Sequence, residues 1–176
     1  MNLNTVVRIA GMVVLGAWVS TGNAATLLAS HKVVPLQVVN LFFPEVTEQA
    51  NIGKDTTAVG NPKATRSVSY ANSDGSKKIT ISVDQYPHSS VAFSAYQEAM
   101  QKSKDVHGFK LIQIPKVGQR SFAGTVTKGA ETHIGLGALD RKEIVGVTLA
   151  GYDNTPHNVA KLVALARKQE EAVRQQ

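Results

Sequence analysis

Two alternating runs joined by a turn constrain this chain more than any other feature. Val68 and Tyr70 alternate with Ser67, Ser69 and Ala71, and Ile79, Ile81 and Val83 alternate with Lys78, Thr80 and Ser82. A period of two puts every second side chain on one face of a strand. Between the runs lies "NSDGSK", where Asp74-Gly75 supplies the positive φ that a tight hairpin needs. The run from Arg66 through Lys78 and beyond is therefore expected to form an antiparallel hairpin, with Ile79, Ile81 and Val83 facing the core.

A helix must follow. Pro87 ends the strand, and Val91, Ala95, Tyr96, Ala99 and Met100 recur at three- and four-residue steps, making one apolar face over about Ser90 to Asp105. Ser89 or Ser90 is expected to cap it. Strands return in "FKLIQIP", with Phe109, Leu111 and Ile114 expected inward, and in "GQRSFAGTVTK" and "ETHIGLGAL". "EIVGVTLAGY" is the most hydrophobic and so the expected central strand. A last helix starts after Thr155, with Pro156 at a favoured first position and Val159, Leu162, Val163 and Ala166 on its apolar face. A short helix over Pro35 to Phe42 precedes the hairpin, and 45–65 reads as a loop with room for one short strand. Strand pairs with singly inserted helices imply an α+β fold: an antiparallel sheet of five to six strands with helices packed on its faces.

The first residues bear on compartment. Ile9 to Val19 is an unbroken apolar run, and Gly22-Asn23-Ala24 offers small residues where a signal peptidase reads them. Residues 1–24 are thus expected to be a cleaved signal peptide, since a spanning helix needs about 20 apolar residues. Residues 25–34 would be a flexible mature terminus, 35–171 a single α+β domain and 172–176 a frayed end. The expected location is periplasmic or secreted, with no stable transmembrane segment after cleavage. The 176-residue chain contains no cysteine, so it can carry neither a disulfide nor a lipoprotein acyl site. Its formal net charge is +6, with one of those cations, Arg8, inside the expected signal segment. Such an excess suits an anionic polymer or membrane surface and equally serves solubility.

Several segments together carry a resemblance. "ITISVDQYPHSSVAFSAYQEAM", "VGQRSFAG", "IVGVTLAGYD" and "VAKLVALAR" are arranged in a way that resembles the PsbP-like α/β/α sandwich domains. Small exported LpqN-type lipoproteins and the extracellular sensor domain of PknH-type kinases share that organisation. The resemblance spans about Arg66 to Arg167 and rests on packing motifs. This chain departs from those relatives in lacking the lipid-bearing cysteine and the sensor domain's disulfides. It transfers no functional residue, and it implies a noncatalytic role, binding a ligand or partner in the envelope.

Searching for chemistry returns little. His31, His88, His107, His133 and His157 are isolated from one another, so no metal is expected. No cofactor is expected either. The glycines of "IGLGALD" suggest a dinucleotide loop, but Asp140 stands where G-x-G-x-x-G needs its third glycine, and a strand follows instead of a helix. Gly135 and Gly137 more simply leave one strand face bare, where a helix or a ligand can approach. There is no nucleophile elbow, and the sole tryptophan, Trp18, lies in the expected signal segment, so nucleic-acid binding is not expected. Tyr86, Tyr152 and Asp153 sit at strand ends, where a ring can lie against the core and a polar group at the rim. With Gly135 and Gly137 they form the candidate ligand-binding set. The leading expectation is a noncatalytic binding or accessory protein whose partner is an envelope protein, a lipid or an anionic polymer. The alternatives are a hydrolase whose site is assembled from distant residues, drawing on acids such as Glu131, Asp140, Glu143 and Asp153, and a structural subunit of an envelope complex.

Overall fold

A computed structural model describes residues 25–55, 58–129 and 131–175. The expected signal peptide, 1–24, lies outside the described residues. In chain order the elements are β1 (Thr26–Leu27), a 3-10 turn (Ser30–Lys32), α1 (Leu36–Asn40), β2 (Glu48–Gly53), β3 (Ala64–Ala71) and β4 (Lys78–Gln85). Then come α2 (Ser89–Lys104), β5 (Lys110–Ile112), β6 (Arg120–Lys128), β7 (Glu131–Asp140), β8 (Glu143–Ala150) and α3 (Pro156–Arg174). The strands form one eight-stranded sheet in the order β1-β3-β4-β8-β7-β6-β5, with β2 also paired to β3. The fold is α+β, with β8 in the middle of the sheet.

Two features exceed the expected five to six antiparallel strands. β1 pairs parallel to β3, and β2 extends the same edge antiparallel. Neither carries an apolar alternation: β1 has two residues, and five of the six residues of β2 are exposed. Backbone bonds, with the Thr26 hydroxyl donating to the Lys63 carbonyl at 3.2 Å, hold them to the sheet.

The hairpin pairs Val68 with Ile81 and Tyr70 with Ile79, and Gly75 takes φ 71° in its turn. Alternation then sorts the sheet into two faces. Ile79, Ile81 and Val83 share one face with Ile134, Leu136, Ala138, Val145, Val147 and Leu149, packed by α1 and α3. The other face carries Tyr86, Phe122, Val126, Leu139 and Ile144, and α2 packs there through Ala92, Ala95 and Tyr96. α2 begins one residue before its expected start. Its N-cap is His88, which makes no side-chain capping bond, so neither Ser89 nor Ser90 caps the helix.

Residues 25–34, expected as a flexible terminus, pack against α3 and β3. Leu28, Val33 and Val34 are buried, and the reason is a clasp with α3. The Gln169 side chain accepts from the Val34 amide at 2.9 Å and donates to the Lys32 carbonyl at 2.6 Å. Lys32 Nζ donates to the Val173 carbonyl at 2.9 Å, and the Tyr70 hydroxyl donates to the Val34 carbonyl at 2.6 Å. An irregular segment can be buried because each of these backbone groups finds a partner. The other end is held too. Arg174 grips Asp140 with two bonds, at 2.7 and 3.1 Å, and also pairs with Glu170, so α3 stays helical through 174 where fraying was expected from 172. Glu170 accepts from the Gly118 amide at 3.1 Å. Gly118 takes φ 63°, and a Cβ there would stand 2.6 Å from the Leu139 carbonyl oxygen, so glycine is required.

Candidate functional site

Thr155 fixes where α3 begins. Its hydroxyl accepts from the Asn158 amide at 3.2 Å, while the Asn158 side chain donates back to the Asp153 carbonyl at 2.9 Å. With the start set, Pro156, Val159, Ala160, Val163, Ala164 and Arg167 line up along one stripe of the helix. Opposite them runs the segment after β5, contributing Ile112, Gln113 and Pro115. Ala160 and Ala164 are too small to close the gap, and a groove of about 570 Å³ is left between helix and linker. That volume falls within the range of about 300–1,000 Å³ typical of small-molecule sites. Its described lining is apolar apart from Gln113, Asn154 and Arg167. Arg167 is exposed and donates to the Lys116 carbonyl at 3.4 Å, a long bond that leaves most of its guanidinium available.

Two smaller depressions lie across the same linker, toward α2. One, of about 420 Å³, runs between Phe93, Met100 and Ile114 and is bordered by Lys116 and Arg120. The other, of about 440 Å³, holds Leu111, Ile114 and Lys104. It shares Ile112 and Gln113 with the α3 groove, so all three ring the segment Ile112 to Lys116. Arg120 lies 4.9 Å from the centre of the Phe93 ring, a cation over an aromatic face. Leu111, expected inward, is 62% exposed. β5 has three residues and pairs only with β6, so this side chain is left on an open edge with nothing over it.

The five residues expected to bind a ligand do not come together. Gly135 and Gly137 lie on the α2 face: their neighbours Ile134, Leu136 and Ala138 point into the α3 core, and α2 packs on β7 and β8. Gly137 stands opposite Gly146, and Gly135 opposite Gly124, where an added Cβ would overlap the Phe109 ring. Tyr86 is on the same face but fully buried, its hydroxyl donating to the Val59 carbonyl at 2.6 Å. Tyr152 is across the sheet, edge-on to Phe43 at 5.3 Å, with Lys77 over its ring at 5.3 Å. Burial, and then the Glu45 carboxylate nearby, raises its ionisation well above that of free tyrosine. Asp153 is exposed and positions Asn158 through its carbonyl. Only Asp153 borders the α3 groove, through its neighbour Asn154.

The α2 face holds a second unusual region. Ser67, Ser69, Thr80, Ser82 and Thr148 are all buried there, with Ser69 and Thr80 sharing a hydrogen bond at 3.0 Å. Asp84 lies next in the same row as Thr80 and Ser82 and is fully buried; its Oδ1 has no hydrogen-bond partner among the described residues. Burial, reinforced by Asp55, holds its carboxyl well above the usual carboxylate range. Asp55 is tied to β3 by its amide, which donates to Thr65 Oγ1 at 3.0 Å.

Three of the four acids considered for hydrolysis have side-chain partners. Asp140 is held by Arg174, Glu143 accepts from Gln85 at 3.1 Å, and Glu131 lies 3.5 Å from His133. Among the described residues no three His, Asp or Glu side chains converge as a metal site would need. No helix among the described residues is long and apolar enough to cross a membrane.

No protein-family model and no curated protein matches the sequence. Among solved structures, the chain is similar to the extracellular domain of PknH from Mycobacterium tuberculosis. The TM-score is 0.56 at 11% identity, over 84% of this chain and 100% of that one. A likeness at that identity is one of fold.

Proposed function

We propose that this chain is an exported, noncatalytic binding protein of the cell envelope, and that the groove along α3 holds the apolar part of a small amphipathic ligand. One observation carries the reading: a groove of about 570 Å³ whose wall is a stripe of Val and Ala on a clamped helix, with one exposed cation at its end. Burying an apolar chain there would remove Val159, Ala160, Ile112 and Pro115 from water, at roughly 25 cal/mol per Å² of apolar surface. The groove is preformed, since Thr155 fixes one end of α3 and Arg174 the other, so little ordering cost opposes binding. The structural engagement of Asp140, Glu143 and Glu131 supports a binding role over a hydrolytic one. Likeness in fold to an extracellular domain supports the envelope location.

The test uses the neutral apolar dye N-phenylnaphthylamine, which brightens in apolar surroundings. Saturable one-to-one binding is expected for the wild-type protein. Ala164→Trp, which fills the groove from a half-buried helix position, should weaken it by at least about tenfold. No saturable binding, or binding that Ala164→Trp leaves unchanged in a folded variant, would sink the reading.

A further inference from the structure

The charges around the linker are of one sign. Lys104, Lys116, Arg120 and Arg167 border the three depressions that ring Ile112 to Lys116, and no carboxylate is among their described lining residues. The adjoining depression, past Gly118, is built differently. There Asp140 and Glu143 stand among Arg141, Lys142 and Arg174, and Arg174 is consumed by Asp140 and Glu170. An ordinary solubility charge would mix both signs around each depression. Instead, cations alone border the open apolar groove and its two neighbours across the linker.

Resting on the groove reading above, we propose that the ligand is a single-chain acid. Its hydrocarbon lies along Val159, Ala160 and Ala164 against Ile112 and Pro115, and its acidic head meets the Arg167 guanidinium. A guanidinium presents a planar fork that matches a carboxylate or phosphate with two parallel hydrogen bonds. Arg167 gives up only one long bond to the Lys116 carbonyl, so its fork remains available. Lys116, Arg120 and Lys104 add a field across the linker that draws the head to this end and leaves the chain to run toward Asn154. The slot shape favours a monomeric acid over a bilayer. Of the residues lining these depressions, Leu111 is the one large apolar side chain that projects openly, too little to insert into a membrane.

The test is displacement of N-phenylnaphthylamine from the intact mature protein by dodecanoate, dodecyl phosphate and dodecanol, which share one chain and differ in the head. The two acids are expected to displace the dye about tenfold better than the alcohol at an ionic strength of about 0.01 M, where the Debye length is about 30 Å. That advantage should shrink severalfold near 1 M, where it is about 3 Å. Arg167→Gln should remove most of it, with the loss falling on the two acids and far less on dodecanol. The ratio of dodecanoate to dodecyl phosphate then identifies the natural head. Equal displacement by acid and alcohol, or an acid advantage that survives Arg167→Gln, would overturn the acidic head while the groove reading stands. Failure of the dye to bind at all would overturn both. Binding to anionic vesicles without displacement by monomeric acid would assign the cations to a membrane surface and overturn the proposal.

Discussion

The two faces of the sheet bury their strands by opposite means. On the α3 face Ile79, Ile81, Ile134, Leu136, Val147 and Leu149 interlock with a helix that brings Leu162, Val163, Leu165 and Ala166, and volume is filled by large side chains. On the α2 face the same strands present Ser67, Ser69, Thr80, Ser82 and Thr148 with Gly135, Gly137 and Gly146, and the helix answers with Ala92, Ala95 and Ala99. There the backbone approaches closely, and Ser69 and Thr80 share a hydrogen bond beside Asp84 Oδ1, which is unpartnered among the described residues. Large-side-chain packing runs out at its edge, where β5 stops after three residues and Ala160 and Ala164 replace bulk, so an apolar face ends in an apolar groove. Polar packing, by contrast, encloses a carboxyl that would rather be neutral. The first arrangement leaves an open apolar groove, and the second a buried carboxyl held well above the usual carboxylate range.

The largest expected contrast between the faces is in mutational cost. Leu136→Ala should lose about 2–5 kcal/mol, because a fully buried leucine leaves a cavity that its neighbours close only in part. Ser82→Ala, in the same sheet and also buried, should cost under about 1 kcal/mol. Urea unfolding of the two variants breaks the comparison if their costs are similar.

A smaller effect sharpens it. Since the folded state raises the Asp84 pKa, that state keeps a proton which the unfolded chain releases at about pH 3.9. Above that pH, wild-type stability should fall as pH rises toward the raised value, by at most about 1.4 kcal/mol per pH unit from this one group. Asp84→Asn, which stays neutral, should remove this component, so that the variant gains on the wild type with increasing pH. Parallel stability profiles between pH 4 and pH 8 would show that Asp84 does not carry the proton, and would leave the α2 face without its distinguishing property.

What the sequence made legible was periodic or local. The hairpin at Asp74-Gly75, helix α2, the Thr155 cap and the central place of β8 each rest on residues within a few positions of one another. Ser67, Ser69, Thr80 and Ser82 alternate with apolar neighbours and so read as solvent-facing, yet the structure buries them, because a second layer covers that face too. Gln169 and Glu170 sit in "KQEEAVRQQ", which reads as a fraying end; their partners Val34 and Gly118 are 135 and 52 residues away and leave no local trace. The groove was hidden for the same reason, since its walls come from Ile112 to Pro115 and from Pro156 to Arg167. Its one sequence signal was Ala160 and Ala164 one turn apart on the helix that carries Val159 and Val163, ending on a cation. Tyr86 and Tyr152 drew notice as rings at strand ends, and both proved to be buried beneath other side chains or loops.

The central claim, that binding belongs to the α3 groove and not to the glycine floor under α2, is tested most directly by amide chemical-shift mapping with dodecanoate. The shifts are expected to concentrate at Ile112, Gln113, Val159, Ala160, Ala164 and Arg167, with Gly135, Gly137 and Tyr86 unmoved. Shifts gathered at Gly135, Gly137 and Tyr86, with the α3 stripe silent, would contradict the account.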